Sequence, residues 1–479
     1  MPSRFGKLFK RQPNAALAAD DSKSFDELYR QATSAAAARD FEGAVRLYDR
    51  AMAADPTRAE TYYKRGNALK DLRRFDAALA SYDEAIARKP DYAYAYCNRG
   101  FVQHRLGLLT EALASYDQAI ALQPADALVH YNRALLLQDG LRWQEALASY
   151  DHAVAIDPQF ADAQYNRALT QLFLGDFANG WRGYEWRWRN AQRLVIGEVR
   201  TFEQPLWLGA EPIAGRRLLL HCEGGLGDTL QFCRYASGCA RLGATVLLEV
   251  QPPLIELLAT LEGVSECIVA GSALPPFDYH CPLMSLPLAF KTTVETIPAP
   301  RRYVRADPAR IAEWHARLGS PSRPRIGLVW SGNPNNALDQ RRSIRLAEWI
   351  AHLPTELDYF CVQRQVRPGD AAALDSSAIF SFDDDLLDFA NTAALCECLD
   401  LVVSVDTSIA HLSGALGRPT WVPLAFIPDW RWMLGRDDCP WYPTMRLYRQ
   451  QAAGNWSEVL ARVATDLRMF SVPLERVAR

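Results

Sequence analysis

A repeat of 34 residues near the N-terminus limits the folds that this chain can adopt. Aligned segments begin at Phe25, Ala59, Ala93, Ala127 and Ala161. A small residue holds the eighth position of each segment, namely Ala32, Gly66, Gly100, Ala134 and Ala168. Further on, each segment has a small residue and then an aromatic one, Tyr48, Tyr82, Tyr116, Tyr150 and Tyr184. A regular repeat of this length predicts stacked supersecondary units.

Each unit predicts a hairpin of two helices. Small residues let the helices approach closely, the tyrosine fills the gap to the next unit, and a proline ends the second helix in the first four units. This is the tetratricopeptide (TPR) pattern, and it predicts an α-solenoid over residues 25–194. The fifth unit has Arg187 within GWRGYEWRWR and lacks the closing proline, as expected of a terminal cap. Its Trp181, Trp186 and Trp188 are expected to pack on the next domain, with ligand contact as the alternative.

Asn-Arg pairs recur at one register of three successive units. They are Asn98 with Arg99, Asn132 with Arg133, and Asn166 with Arg167. On the concave face of the array these side chains would hydrogen-bond the backbone of an extended peptide. The alternative is that they solvate the inner face and cap neighbouring helices. The array therefore predicts a polypeptide acceptor or partner protein.

Composition and net charge limit the classes of protein to which this chain can belong. A chain of 479 residues predicts two or three domains, and 49% hydrophobic with 23% charged residues is typical of folded proteins. The net charge of -3 gives no electrostatic case for a nucleic-acid or membrane partner. No apolar run reaches the length of a transmembrane helix, and we expect a cytoplasmic protein. Residues 1–24 are expected to be a flexible tail, with a short amphipathic helix at the membrane surface as the alternative.

From about residue 203 the pattern changes to short apolar runs that alternate with helical stretches, which predicts βαβ units. The predicted strands of a first half, residues 203–318, are LLLH (218–221), TVLLEV (245–250) and CIVA (267–270). Those of a second half, residues 322–479, are IGLVW (326–330), YFCVQ (359–363), LVVSV (401–405) and TWVPLA (420–425). A proline-rich passage between them is a candidate hinge, and a cleft between two halves suits a ligand that spans both.

A glycine-rich turn follows the first of these strands. Gly224, Gly225 and Gly227 permit a tight turn and close approach of a ligand, and Asp228 precedes a helix predicted to open at about Thr229. An aspartate at a helix start is ordinarily an N-cap. Its position at the carboxyl edge of a sheet is also where a general base would lie.

Two further motifs follow strands of the second half. Asp406, Thr407, Ser408 and His411 surround a helix start whose N-H groups suit a diphosphate, although helix capping alone explains the first two. The polar loop after the strand at 326–330 offers Asn333, Asn336 and Asp339 as candidate contacts, with Arg342 suited to a phosphate. The acidic run Asp383, Asp384 and Asp385 is interpreted as the start of a helix, with a metal site as the alternative.

These motifs together resemble those of a known family. GWRGYEWRW, EGGLGD, WSGNP with RRS, DFANTAA, SVDTSIAHLSGALGRP, DWRW and WYPTMRLYRQ resemble bacterial proteins that join TPR repeats to a glycosyltransferase domain related to the ADP-heptose:lipopolysaccharide heptosyltransferases. The resemblance implies a GT-B-like pair of Rossmann-like domains, the first on the acceptor side and the second on the donor side. It also implies inverting transfer from a nucleotide-sugar substrate with neither metal nor cofactor.

The resemblance assigns roles to particular residues. Asp228 corresponds to the base, Arg342 to a basic residue that offsets charge on the leaving group, and Asp406, Thr407, Ser408 and His411 to the donor diphosphate loop, with Ser408 in place of a glycine. Asn336 departs from TPR-linked relatives, which often have a histidine in that loop.

Three functions follow as hypotheses. The first is a glycosyltransferase whose array selects the acceptor, a protein hydroxyl. The second is a glycosyltransferase for a lipid-linked or polysaccharide acceptor, with the array docking partner enzymes. The third is a catalytically inactive TPR scaffold for protein-protein interaction.

Overall fold

The structure is a computed structural model that describes residues 23–190, 200–336, 339–382 and 385–470. The chain divides into two compact units, Met1–Ala163 and Gln164–Arg479. Nearly all of the predicted N-terminal tail, residues 1–22, lies outside the described residues. Each unit is described by itself.

The first unit is a helical TPR solenoid. Its helices are α1 (Phe25–Ala37), α2 (Phe41–Ala54), α3 (Ala59–Asp71), α4 (Phe75–Arg88), α5 (Ala93–Arg105), α6 (Leu109–Leu122), α7 (Ala127–Asp139) and α8 (Trp143–Ile156). The first helix of every hairpin begins at the residue where the repeat pattern places it. The prediction of a solenoid of helix hairpins is therefore confirmed.

Small residues and tyrosines pack within each hairpin as the pattern requires. A Cβ atom on Gly66 would lie 2.6 Å from Cε1 of Tyr82, and one on Gly100 would lie 2.9 Å from Cε1 of Tyr116. Both tyrosines are fully buried. The rings thus occupy the volume that a side chain at the eighth position would need.

The fifth hairpin belongs to the second unit by its contacts. It consists of α9 (Ala161–Leu174), which begins just before the division, and α10 (Phe177–Tyr184), followed by a 3-10 turn over Glu185–Trp188. In α10, the ring of Trp181 is 2% exposed and its Nε1 donates to the carbonyl of Thr292 at 3.1 Å. The expected packing of Trp181 on the domain that follows is confirmed.

A parallel sheet of four strands forms the first half of the remaining region. Its strands are β1 (Arg217–His221), β2 (Thr245–Val250), β3 (Val264–Val269) and β4 (Tyr279–Pro282), in the order β3-β2-β1-β4. The helices of this half are α11 (Leu226–Phe232), α12 (Ala236–Arg241), α13 (Ile255–Leu258), α14 (Leu286–Ala289) and α15 (Pro308–Leu318). Leu218, Leu219 and Leu220 are fully buried, because a parallel sheet is covered on both faces.

A second parallel sheet has six strands. They are β5 (Arg325–Val329), β6 (Asp358–Cys361), β7 (Ile379–Phe380), β8 (Leu401–Ser404), β9 (Thr420–Leu424) and β10 (Met445–Arg449), in the order β10-β9-β8-β5-β6-β7. The helices are α16 (Asp339–Arg342), α17 (Leu346–Ile350), α18 (Pro368–Asp375), α19 (Phe389–Glu397), α20 (Ser408–Ala415) and α21 (Trp456–Phe470). The order reverses between β5 and β8, and a doubly wound sheet binds ligands at such a switch point.

All seven predicted strands are present, and three others are not predicted. β7 has only two residues, β4 carries His280 and Pro282, and β10 carries two arginines at a sheet edge. Each lacks a long apolar run, because short or edge strands are not buried on both faces. Within the residues described, no helix is long and apolar enough to cross a membrane.

Candidate functional site

The glycine-rich turn at the carboxyl end of β1 leads directly into α11. Gly224 has a positive φ of 69°, which favours glycine, and Gly225 is the N-cap of the helix. The predicted helix start at about Thr229 is wrong, because α11 already begins at Leu226. Asp228 is consequently the third residue of the helix and not its N-cap.

The Asp228 carboxylate has partners on both oxygens. Its Oδ2 accepts a hydrogen bond from the Gly225 amide at 2.7 Å, and its Oδ1 forms an ion pair with Nη2 of Arg431. Burial raises the pKa of Asp228, while the guanidinium of Arg431 acts in the opposite direction. The predicted N-cap role of Asp228 is therefore wrong, since its carboxylate, 18% exposed, instead bonds back to the amide of the N-cap residue Gly225.

Arg431 joins this carboxylate to the second half. Its side chain is 9% exposed, its Nε donates to Oε1 of Gln231 at 2.6 Å, and its Nη1 donates to Oδ1 of Asp429 at 2.9 Å. Arg431 belongs to the DWRW motif of the resemblance, which assigns it no role. An arginine between two tryptophans carried no signal that distinguished it from a core or surface residue.

The start of α20 is the second element of the site. Thr407 is its N-cap, and the Thr407 hydroxyl lies 3.1 Å from that of Ser404. Nη1 of Arg342 donates to the carbonyl of Asp406 at 2.7 Å. Burial raises the pKa of Asp406, with the negative charge of Asp429 as the second cause. The structure thus brings Arg342 to the helix start where the sequence predicts a diphosphate.

His411 lies one turn into α20 and is buried. Its Nδ1 is 2.9 Å from the hydroxyl of Tyr442, and its ring stacks on Trp432 with centroids 5.5 Å apart. Burial lowers the pKa of His411 well below its usual value, and nearby arginines lower it further. The imidazole is therefore neutral at physiological pH and adds no positive charge to the helix start.

The two helix starts face each other. A Cβ atom on Gly227 would lie 2.8 Å from Cδ2 of His411 and 3.5 Å from Cα of Ser408. The close approach of α11 and α20 thus depends on a glycine at position 227. It places the Asp228 carboxylate and the predicted diphosphate position at neighbouring edges of the two sheets.

Two arginines, Arg342 and Arg367, approach the carboxylate of Asp339 at the end of the loop after β5, where α16 starts, and Arg367 itself lies just before α18. Asp339 is 2% exposed and pairs with Arg367, with a more distant contact of 3.7 Å to Arg342. The Nε atoms of both arginines are buried and have no hydrogen-bond partner in the described structure. Arg367 is not predicted as a site residue, since it lies 28 residues from Asp339 and belongs to no motif.

The asparagines of this loop have a different setting from Asp339. Asn333 and Asn336 are exposed, and Oδ1 of Asn333 accepts from the Asn335 amide at 3.0 Å, which closes a local turn. Buried Asp339 instead holds arginines in place. Of the acidic run further on, Asp383 and Asp384 lie outside the described residues, while Asp385 pairs with Arg317 at 2.6 Å.

In the array, the Asn-Arg pairs have partners within the solenoid. Arg99 bonds Ser115 at 3.0 Å and Asp83 at 3.1 Å, and Arg133 repeats this with Ser149 and Asp117, both at 2.7 Å. Amide nitrogen of Asn98 donates to Asn67 at 2.8 Å, and that of Asn132 approaches the sulfur of Cys97 at 3.9 Å. The arginines therefore bridge successive hairpins, while Asn166 and Arg167 lie in the second unit.

Tryptophans near the site are packing residues in this structure. Trp430, Trp432 and Trp441 are at most 6% exposed, and the ring of Trp181 contacts Trp430 edge-on with centroids 5.3 Å apart. Within the described parts of the chain, no group of three or more His, Cys, Asp and Glu side chains is placed to bind a metal ion.

Comparison with known proteins identifies the repeats. A family model described as TPR repeat matches residues 66–107 and 107–140. FlbA from Caulobacter vibrioides is 28% identical over 332 residues, which cover 63% of this chain and 54% of FlbA. The chain thus spans about half the length of this relative. Because residues 1–194 are less than half of the chain, the aligned part includes residues beyond the repeats.

Solved structures similar to part of this chain include MamA and YrrB. MamA is 23% identical and covers 33% of this chain and 92% of its own, with a TM-score of 0.32. YrrB, described as a TPR protein with an unusual peptide-binding site, is 19% identical and covers 36% and 88%, with a TM-score of 0.31. The N-terminal region is a TPR solenoid, and it is followed by a region with two parallel sheets.

Proposed function

We propose that this protein is a metal-independent, inverting glycosyltransferase of GT-B-like architecture that transfers a sugar from a nucleotide-sugar to an acceptor chosen by the TPR array. The observation that carries the proposal is the meeting of two helix starts at the carboxyl edges of two parallel sheets, with Gly227 against His411. One edge supplies a partly buried carboxylate and the other a helix start with Arg342 beside it. Direct transfer between a hydroxyl and a diphosphate-linked sugar requires these two groups as neighbours.

In the proposed reaction, Asp228 is the general base. The acceptor O-H gives its proton to the carboxylate as its oxygen bonds to the anomeric carbon, and the bond from that carbon to the diphosphate breaks. Burial favours this role, because it raises the pKa of Asp228 toward the pH at which the enzyme works. The hydrogen bond from the Gly225 amide orients the carboxylate.

The leaving nucleoside diphosphate is held by the second sheet. The amides at the start of α20 face it, and the helix dipole stabilises its negative charge. Arg342 and Arg367 share the carboxylate of Asp339, so the three side chains together carry one net positive charge, and Arg342 lies beside Asp406. The planar guanidinium group, with its fork of N-H donors, suits phosphate oxygens. Neither a metal nor a cofactor is needed for this charge balance.

For the acceptor, we propose a polypeptide hydroxyl. TPR arrays hold polypeptide segments, and the repeats of this chain precede the proposed transferase directly. Asn98 and Asn132 of the concave register are the candidates for peptide contact, although the Asn98 amide donates to Asn67 and the neighbouring arginines bridge hairpins.

The deciding experiment is isothermal titration calorimetry of the full chain against a panel of UDP-, GDP-, ADP- and CMP-linked sugars. We expect one class of donor to bind, and its nucleoside diphosphate to bind also, since both carry the diphosphate. Failure of every donor to bind would refute the proposed function.

Replacing Asp228 by Asn tests the base. We expect the turnover of donor with acceptor to fall about 10²- to 10⁴-fold, the usual contribution of positioned base catalysis, with donor affinity nearly unchanged. Asn preserves the shape of the side chain, whereas Ala would leave Arg431 buried beside an empty position. The control is Asp278→Asn, because Asp278 bonds the Arg217 amide at the opposite edge of the same sheet. Full activity of Asp228→Asn would eliminate this assignment.

Two observations favour the alternative of an inactive TPR scaffold. Both oxygens of Asp228 are engaged, one by a guanidinium and one by an amide, and Asn336 stands where relatives often have a histidine. A protein that binds the donor but hydrolyses or transfers none of it would support the scaffold, and the calorimetric panel with a turnover assay separates the two.

A further inference from the structure

The terminal hairpin of the array contributes a buried arginine to the glycine-rich loop. Arg187 is 1% exposed and lies in the 3-10 turn that follows α10. Its Nε and Nη2 bond the two carboxylate oxygens of Glu223 at 2.9 and 2.8 Å. Glu223 immediately precedes Gly224, so a residue of the terminal repeat fixes the first residue of the loop.

The ion pair of Arg187 with Glu223 belongs to a larger hydrogen-bond network. Arg187 also bonds Ser285 at 2.7 Å and Glu185 at 2.6 Å, and the Met284 amide donates to Glu223 at 3.1 Å. Burial raises the pKa of Glu223, and the charge of Arg187 opposes the shift. A bidentate pair with all of its other groups satisfied permits a single geometry.

The network continues toward the proposed base. From Glu223 the chain passes through Gly224, which has a φ of 69°, to Gly225, whose amide bonds Asp228. The Gly225 amide is therefore held on one side by the loop that Arg187 anchors and on the other by the carboxylate that it orients. Along this path only Gly224 and Gly225 separate Glu223 from the Asp228 carboxylate.

We propose that Arg187 is a positioning residue for the proposed transferase: through its bidentate bond to Glu223 it sets the glycine-rich loop and thereby the orientation of Asp228. The proposal rests on the proposed function for its catalytic consequence. It makes the terminal repeat a structural part of the catalytic unit, beyond its role as the cap of the solenoid.

The test uses Arg187→Lys and Glu223→Gln in the full chain. Lysine keeps the charge but loses the two parallel N-H donors. We expect Arg187→Lys to lower the turnover number about 100-fold, as displacement of a catalytic group by an ångström does, with donor affinity changed less than about threefold. Glu223→Gln should lower turnover in the same way. The double variant should lower turnover no further than the more damaging of the two single variants.

The matched control is Arg65→Lys. Arg65 bonds Asp49 and Ser81, both at 2.6 Å, so it is also a bridging arginine of the solenoid, but it lies in the first unit. We expect the turnover number of Arg65→Lys to equal that of the wild type. A thermal melt of each variant measures any loss of the folded state. Comparing turnover numbers at equal folded fractions corrects for that loss.

Hydrogen exchange of residues 224–228 tests the positioning independently of activity. We expect the amides of this loop to exchange faster in Arg187→Lys than in the wild type, with the α12 amides unchanged. Unchanged exchange together with unchanged turnover would overturn the positioning role alone. Absence of donor binding by the wild type would instead refute the proposed function, while faster loop exchange would still support the structural link.

Discussion

At the scale of single residues, His221 illustrates how burial at a sheet edge fixes a protonation state. It is the last residue of β1 and is 5% exposed, and its Nε2 lies 3.2 Å from Nδ1 of His280. Burial lowers the pKa of His221 to about 3, with the neighbouring His280 and Arg200 as further causes. Both imidazoles are neutral in the folded protein at physiological pH, since burial also lowers the pKa of His280.

This predicts a loss of stability in acid. Above its unfolded pKa of about 6.5, His221 is neutral in both states; below it, only the unfolded state takes up the proton, so acidification favours unfolding. Between pH 7 and pH 5 the wild type should lose about 2 kcal/mol more free energy of unfolding than His221→Gln. Urea denaturation followed by tryptophan fluorescence measures this, because all tryptophans except Trp143 lie in the second unit. Equal pH dependence of the two proteins would contradict the assigned neutral state.

At the scale of secondary-structure elements, the contact of α11 with α20 defines the site. Each helix was predicted from its own strand-turn-helix motif, and neither motif contains information about the other. Their approach is governed by Gly227, since any side chain there meets the ring of His411. His411 is in turn held by Tyr442 and Trp432 and has little freedom to move away.

Gly227→Ala tests this contact. The added methyl would lie 2.8 Å from Cδ2 of His411, and we expect the helices to separate at a cost of about 1–3 kcal/mol in stability, typical of overpacking. Donor binding and turnover should both weaken. Gly369→Ala is the control, because Gly369 lies near the start of α18 with open space around its Cβ position. It should be neutral or more stable by up to about 1 kcal/mol. Equal behaviour of the two variants in denaturation and calorimetry would refute the contact.

At the scale of the whole molecule, the boundary between the units differs from the boundary of the repeat pattern. The pattern continues to about residue 194, whereas the contacts of the chain divide it after Ala163. Trp181 and Arg187 account for the difference, because both pack into the region of the sheets. The last hairpin has the sequence of a repeat and the contacts of the domain that follows it.

Two truncations follow from this division. A protein of residues 161–479 keeps the terminal hairpin, and we expect it to hydrolyse donor like the full chain while losing transfer to the natural acceptor. A protein of residues 191–479 lacks Arg187 and leaves Glu223 buried without its cation, a loss of about 3–5 kcal/mol in stability. We expect it to unfold at a lower temperature and to lose donor hydrolysis. Thermal melts and donor-hydrolysis assays of the two truncated proteins test these expectations. Unchanged acceptor transfer by residues 161–479 would show that the array only tethers partners.

Much of the candidate site could be predicted from local sequence, because glycines, acids and hydroxyls at strand ends form recognisable motifs. Asp228, Arg342 and His411 were predicted in this way, and the structure brings all three to the facing edges of the two sheets. Arg431, Arg367 and Arg187 were not given roles in the site. Their partners lie 203, 28 and 36 residues away in the chain, and an arginine has the same local pattern whether it lies at the surface or in a buried ion pair.

By itself the sequence determined the elements whose physics is local. The positions of the hairpin helices, the seven main strands and the two glycine- and hydroxyl-containing turns follow from periodicity, apolar runs and turn residues. The tertiary structure alone decided which of these lie together: the order of the strands, the facing of α11 and α20, and the attachment of the last repeat to the glycine-rich loop. These depend on complementary shapes and on buried charge pairs between distant segments, and no local pattern encodes the identity of a distant partner.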